Sequence, residues 1–229
     1  MLPAATVDIN FNVKDALTKQ IIATGEEKIS KNKDVVTKKT FYYSIDSEKK
    51  ILQQETSIFN QVTFAPVKYE FENALTGEII NFNRVDDQSQ VLNYKKNHIE
   101  SQKSIAIAWK KTDIFSKALH NFIAAHWTEI KSQETVKLNL FIPSKQTSYG
   151  MRLRMLRVDK RGETVVHVVV AEVDSWLIRQ VLGPPPEFYF EEIDQLPRLV
   201  YYHGPTTLST EKGTDFPVDI DFSYDTISE

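Results

Sequence analysis

The chain has 229 residues, 41% of them hydrophobic, with 28 basic against 31 acidic side chains and a net charge of -3. This composition excludes wholesale disorder and provides no clustered basic excess for a nucleic-acid partner. The absence of cysteine excludes disulfides, thiolate catalysis, iron–sulfur clusters and cysteine-ligated zinc.

In chain order, Thr6 to Phe11 alternates, with Val7, Ile9 and Phe11 on one side, and reads as an edge strand. Lys14 to Ala23 fits a short helix or a strand. Val35–Ile45, Ile51–Val62 and Val67–Glu72 carry stronger strand signals, separated by the polar turns Asp46–Lys49 and, after the third, Asn73–Gly77. Ile79–Val85 and Gln90–Tyr94 form a further pair across Asp86-Asp87. Short strands between polar turns at intervals of about 8–12 residues are the mark of an all-β chain.

Thr112–Ser132 breaks that pattern. Ile114, Phe115, Ala118, Leu119, Phe122, Ile123 and Trp127 follow the spacing of an amphipathic helix over about 113–131, capped by Thr112 or Asp113. Strand chemistry returns at Val136–Ile142, ahead of Pro143. A short helix is expected near 175–182, stopped by Gly183 and Pro184. Glu187–Phe190 and Arg198–Tyr202 then pair, and Val218–Tyr224 alternates strictly, as an outer strand would.

The segment Tyr149–Val173 reads as a long hairpin. Placing its turn at Arg161-Gly162 sets Lys160 opposite Glu163 and Leu156 opposite His167. One face gathers Arg152, Arg154, Leu156, Val158, Val165, His167, Val169 and Ala171. The other gathers Met151, Leu153, Met155, Val166, Val168 and Val170, and is the inner one. Valine on both sides of the pleat requires cover front and back, whether from a helix, a ligand or a second sheet.

Catalytic motifs are scarce. His120 and His126 are separated by about 600° of helical turn and point apart. No His-Glu-x-x-His, phosphate-cradling glycine loop or Gly-x-Ser-x-Gly elbow occurs. His98-Ile-Glu100 mimics the start of a deaminase motif whose cysteines do not exist. Asp219, Asp221 and Asp225 share one face of the last strand, where a charged edge that discourages sheet pairing accounts for them better than a calcium site does. The doublets Glu26-Glu27, Asp86-Asp87 and Glu191-Glu192 are expected in turns or at strand ends, with neighbouring carboxylates on opposite faces. No cofactor or metal site is expected. The longest apolar run, Ile105–Trp109, is far short of the about 20 residues that a spanning helix needs, so no transmembrane segment is expected.

From Trp127 to Thr207 the order of turns and apolar positions resembles an uncharacterised family of bacterial envelope (periplasmic) proteins built on a curved antiparallel sheet. The residues that carry it are Ile142-Pro143, Gly150, Arg161-Gly-Glu163, Ser175-Trp-Leu-Ile-Arg179, Gly183-Pro184, Phe188-Tyr-Phe190 and Tyr202-His-Gly-Pro205. More distantly this pattern is similar to the half-barrels of lipoprotein-localisation proteins, in which a sheet wraps a helix and shelters acyl chains. The resemblance implies export and lipid handling with no assigned catalysis; a lipoprotein cysteine is missing from this chain. The start, Met1–Asp8, lacks a signal peptide's charged and apolar regions and looks like a mature exported N-terminus behind an added Met.

The expectation is one mainly β domain over residues 1–229: a curved antiparallel sheet or open barrel wrapping the 113–131 helix. It would bind a lipid or other apolar small molecule between sheet and helix, lined by Trp109, Phe122, Trp127, Leu156, His167, Trp176 and Tyr202, in a non-enzymatic envelope protein. The alternatives are an interaction module with a fully packed core, meeting an envelope protein partner, and a hydrolase of unmarked type.

Overall fold

Strands of alternating or doubly apolar sequence account for nearly all of the regular structure. The computed structural model describes residues 6–84, 90–107, 109–110, 112–175, 184–208 and 216–224. Within them lie β1 Thr6–Asp15, β2 Ile21–Asn32, β3 Val35–Tyr43, β4 Ile51–Asn60, β5 Pro66–Asn73, β6 Glu78–Arg84, β7 Gln90–Lys95, β8 Lys103–Ala106 and β9 Asp113–Phe115. After two short helices, α1 Leu119–Ala125 and α2 Trp127–Lys131, come β10 Val136–Ile142, β11 Thr147–Arg161, β12 Thr164–Val173, β13 Glu187–Ile193, β14 Leu196–Pro205 and β15 Pro217–Tyr224. The expected helix near 175–182 and the Asp86-Asp87 turn lie outside the described residues.

The strands form one 15-stranded sheet in the order β8 through β1, then β15 down to β9. Neighbours are antiparallel except β9 and β10, which are parallel. Both free edges, β8 and β9, come from the middle of the chain and are joined by residues 107–112. Seven Cα steps reach at most about 25 Å, whereas a flat sheet of this many strands would be about 65–70 Å wide at normal strand spacing. The short connection therefore forces the sheet to curl until its edges approach. Contacts cross the hollow: Phe115 N–H donates to the Phe64 carbonyl at 3.1 Å, and Phe82 of β6 meets Phe141 of β10 with ring centroids 6.0 Å apart.

Two expectations about edges are corrected. β1 and the last strand, β15, pair with each other from Ile9↔Tyr224 to Asp15↔Val218 and sit in the middle of the sheet. Alternation records that a strand has one wet face and says nothing about its lateral neighbours. The aspartates of β15 are not a solvated edge: Asp221 pairs with Lys14 and Arg161, and Asp219 with Lys19. Likewise Glu26-Glu27 and Glu191-Glu192 lie inside β2 and β13.

The 113–131 segment is not one helix. Asp113, Ile114 and Phe115 are all buried and pair with Asn139–Phe141 as a strand, and a 3-10 turn at Ser116–Ala118 leads into α1. The backbone at His126, φ -107° and ψ 24°, separates α1 from α2. Asp113 caps nothing; its carboxylate accepts from Lys110 N–H at 3.2 Å and Ser148 Oγ–H at 2.9 Å. The helices nonetheless plug the hollow of the sheet, with Leu119, Phe122, Ile123, Trp127 and Ile130 in the main core beside Phe59, Phe82, Leu92, Phe141, Leu153 and Val169.

The β11–β12 hairpin is covered on both faces, as valine on both sides of the pleat requires: Val166, Val168, Val169, Val170 and Ala171 are all buried. Its register differs from expectation. The turn is Gly162-Glu163, with Gly162 at φ 63°, the left-handed first position that a two-residue hairpin turn reserves for glycine. A bulge at Leu156 follows, because Met155 faces Val169 while Arg157 faces Val168. The concave set is thus Met151, Leu153 and Met155 with Val169, Ala171 and Val173, while Val166, Val168 and Val170 lie on the convex side. There Glu172 is clamped by Arg152 and Arg154, at 2.7 and 2.6 Å.

Gly25 permits the closest packing on the concave face. A Cβ there would overlap the Phe11 ring and come within 2.6 Å of the Phe41 carbonyl oxygen. Gly25→Ala is expected to destabilise by about 1–3 kcal/mol, the usual cost of overpacking. A denaturation midpoint lowered with unchanged slope would show it; an unchanged midpoint would mean that β1 and β3 yield freely.

Candidate functional site

Strand alternation brings a polar group to the middle of this otherwise apolar hollow. On β3, Val36, Lys38, Thr40 and Tyr42 point inward; on β4, Gln53, Glu55, Ser57 and Phe59 do the same. Cross-strand register sets Lys38 beside Ser57 and Thr40 between Glu27 and Glu55. The roof is the 3-10 turn and the start of α1, which supply Ser116, Lys117, Leu119 and His120. Between roof and sheet is a cavity of about 260 Å³. Phe11, Phe188, Leu199, Tyr202 and Phe222, from β1 and β13–β15, give it an apolar side, while Glu27, Lys38, Thr40 and Glu55, from β2–β4, give it a polar one, with Tyr42 beside Thr40 on β3. Several of these side chains stay partly exposed, so the cavity opens to solvent.

Lys38, 2% exposed, is the strangest member. Its Nζ lies 3.3 Å from the Lys117 carbonyl oxygen, 3.0 Å from His120 Nδ1 and 2.5 Å from Nε2. Phe59 presents its ring face at 5.4 Å. Burial pushes the Lys38 ammonium down to about 8, against the pull of Glu27 and Glu55. Burial, and then Lys38 itself, hold the His120 imidazole well below its ordinary value, so at neutral pH it is uncharged and accepts from the ammonium. Lys117, by contrast, has a partner: its Nζ is 2.7 Å from Glu55 Oε2, an oxygen that also accepts from the Tyr69 hydroxyl at 3.3 Å. Glu27 accepts from Thr40 Oγ1 at 3.0 Å. Burial raises the phenols of Tyr42, Tyr69 and Tyr202, so these rings stay neutral.

Of the lining anticipated from sequence, Tyr202 faces this cavity, its hydroxyl turned away to donate to the Pro205 carbonyl at 2.6 Å. Phe122 and Trp127 are buried in the core, Phe122 against Phe64 and Trp127 against Phe190 and His167. Trp109 packs edge-on to Phe141. Leu156 is 36% exposed at its bulge, His167 sits under Trp127, and Trp176 lies outside the described residues. The polar half of the site was missed. Its signal was the run Gln53, Glu55, Ser57, whose inward side imitates a wet face.

A second cluster lies on the convex side. Asp219, 3% exposed, meets Lys19 Nζ at 2.7 Å and His203 Nδ1 at 2.8 Å. Burial raises its carboxyl, but hydrogen bonds from Lys19, Tyr201 and His203 outweigh this and hold it below the ordinary range. Stability from a depressed carboxyl is full above its unfolded value and disappears as pH falls through the folded one. Asp219→Ala should therefore cost about 1–3 kcal/mol at pH 7, and less at a pH below the lowered folded value. Melting curves at both pH values would check this, and a gap that does not narrow in acid would contradict it.

Among the described residues no helix is long and apolar enough to cross a membrane, and no group of three or more His, Asp or Glu side chains is placed to hold a metal ion. No protein-family model matches the chain, and no curated protein is similar to it. A solved structure of a DUF1329 family protein from Desulfovibrio piger is similar over 98% of this chain and 86% of its own, at 8% identity and a TM-score of 0.26. A likeness of that size assigns neither family nor function.

Proposed function

We propose that this protein binds a small amphipathic molecule in the concave cavity between its curled sheet and the Ser116–Ala125 segment, without transforming it. What carries the proposal is the division of the cavity wall, aromatic and aliphatic on one side and polar with buried charge on the other. An apolar cavity of about 150 Å³ already takes up benzene, so the space here suits a ligand larger than benzene. It falls below the about 300–1,000 Å³ of sites for drug-sized ligands, and a whole two-chain lipid would not fit without movement of the roof. An exported protein of the cell envelope, handling an acyl group or similar tail, is the setting we propose, supported by the resemblance of residues 127–207 to envelope proteins.

Native mass spectrometry and organic extraction of the purified protein test the binding, and cell fractionation tests the setting. A co-purifying or exchangeable apolar molecule supports the proposal. A cavity that takes up no such molecule at any concentration argues for a packed interaction module instead.

A further inference from the structure

We infer that the cavity selects a monoanion, a carboxylate carried on an apolar body, and that Lys38 is the residue that receives it. This rests on the proposed ligand site and names the chemistry of its occupant. A buried ammonium is costly unless it is paired. Lys38 has no carboxylate within 4.0 Å among the described residues, whereas Lys117 has Glu55 at 2.7 Å. Its neighbours inside the protein are a carbonyl oxygen, a neutral imidazole and the Phe59 ring. These are all polar or polarisable groups without a formal charge, and Glu27 and Glu55 attract the ammonium only from beyond ion-pair distance, so Lys38 faces the cavity without a direct ionic partner.

The geometry around Lys38 fits a single negative charge. Two carboxylates also line the space, Glu55 held by Lys117 and Tyr69 and Glu27 held by Thr40. They oppose a dianion such as a phosphate monoester, while a carboxylate would complete one ion pair. The carboxylate's tail then has a continuous apolar wall in Phe11, Leu119, Phe188, Leu199, Tyr202 and Phe222. At the about 30 Å³ that a water-sized group occupies, a cavity of 260 Å³ holds an occupant about the size of octanoate.

The experiment is calorimetric titration of the intact protein at pH 7 with octanoate, 1-octanol and octyl phosphate, repeated on Lys38→Met. Lys38→Met keeps the side-chain length and removes a buried charge, so it should fold; its melting curve verifies that. In the unchanged protein octanoate should bind at least ~10-fold more tightly than octanol or octyl phosphate, the worth of one charge-assisted contact. In Lys38→Met that preference should vanish while octanol binding persists. Equal affinity for octanoate and octanol in the unchanged protein, or a preference that survives in Lys38→Met, overturns the assignment of Lys38 but leaves an amphipathic-ligand site standing. A stronger response to octyl phosphate overturns the choice of a monoanion. Failure of all three to bind overturns the ligand site itself.

Discussion

Trp127→Ala is expected to destabilise the protein by about 3–5 kcal/mol, the range for removing a large buried aromatic side chain. The indole fills the hollow between α2 and the sheet, with its ring 5.4 Å from Phe190 and 5.5 Å from His167. Its Nε1–H donates to Glu192 at 3.2 Å, and the same carboxylate meets Lys131 at 2.6 Å. Truncation leaves a void that rigid strands cannot collapse, and it frees α2 from β13. Equilibrium denaturation should show a large fall in midpoint at constant slope, with ligand affinity per folded molecule unchanged, since Trp127 does not line the cavity. Lost binding in a protein of undiminished stability would contradict this and return Trp127 to the ligand site.

Lys38→Met should do the opposite. A lysine pushed down to about 8 from 10.5 opposes folding at neutral pH by about 3 kcal/mol, at about 1.36 kcal/mol per pH unit of displacement. Below pH 8 the ammonium is charged in both states and the whole penalty applies. Between pH 8 and about 10.5 the native state has lost its proton and the unfolded chain has not, so stability rises with pH across that window. The raised phenols of Tyr42, Tyr69 and Tyr202 act in the reverse sense. Above about pH 10 the unfolded chain loses those protons first, and stability falls. Comparing Lys38→Met with the unchanged protein cancels the tyrosines. The variant should be more stable by about 3 kcal/mol at pH 7, with the difference closing towards pH 10.5. A difference that does not vary with pH would mean that the lysine is solvated.

The sheet was legible where sequence and burial agree. The doubly apolar run Val165–Val170 announced a strand covered on both faces, and the turn at Asn73–Gly77 lies where its residues place it. Lateral order was not legible: β1 and β15, the two ends of the chain, pair at the centre, and nothing in either strand's alternation specifies a partner 200 residues away. The helix over 113–131 was read from apolar spacing alone. Three adjacent buried residues, Asp113–Phe115, fit that spacing equally well as a strand. The bulge at Leu156 shifted the hairpin's partners by one, which exchanges faces along one arm.

The cavity was barely legible: of the lining expected from sequence Tyr202 lies at it, while Trp109, Phe122, Trp127, Leu156 and His167 lie elsewhere. Phe188, which meets Tyr202 across β13 and β14 with ring centroids 5.2 Å apart, was read only as part of a strand. Lys38, Glu55 and His120 could not be found by periodicity, because a charged group inside a sheet breaks the pattern by which inside is recognised. Only the fold brings His120 to Lys38, across 82 positions of sequence.

Side-chain NMR during an octanoate titration would decide whether the hollow of the sheet is a binding site. Resonances of Phe11, Leu119, Phe188, Leu199 and Phe222 should shift together and saturate, while Leu17 and Ile99 on the outside stay still. No saturable change at those five, or a response centred anywhere else, would mean that this cavity is only the seam between a curled sheet and its plug.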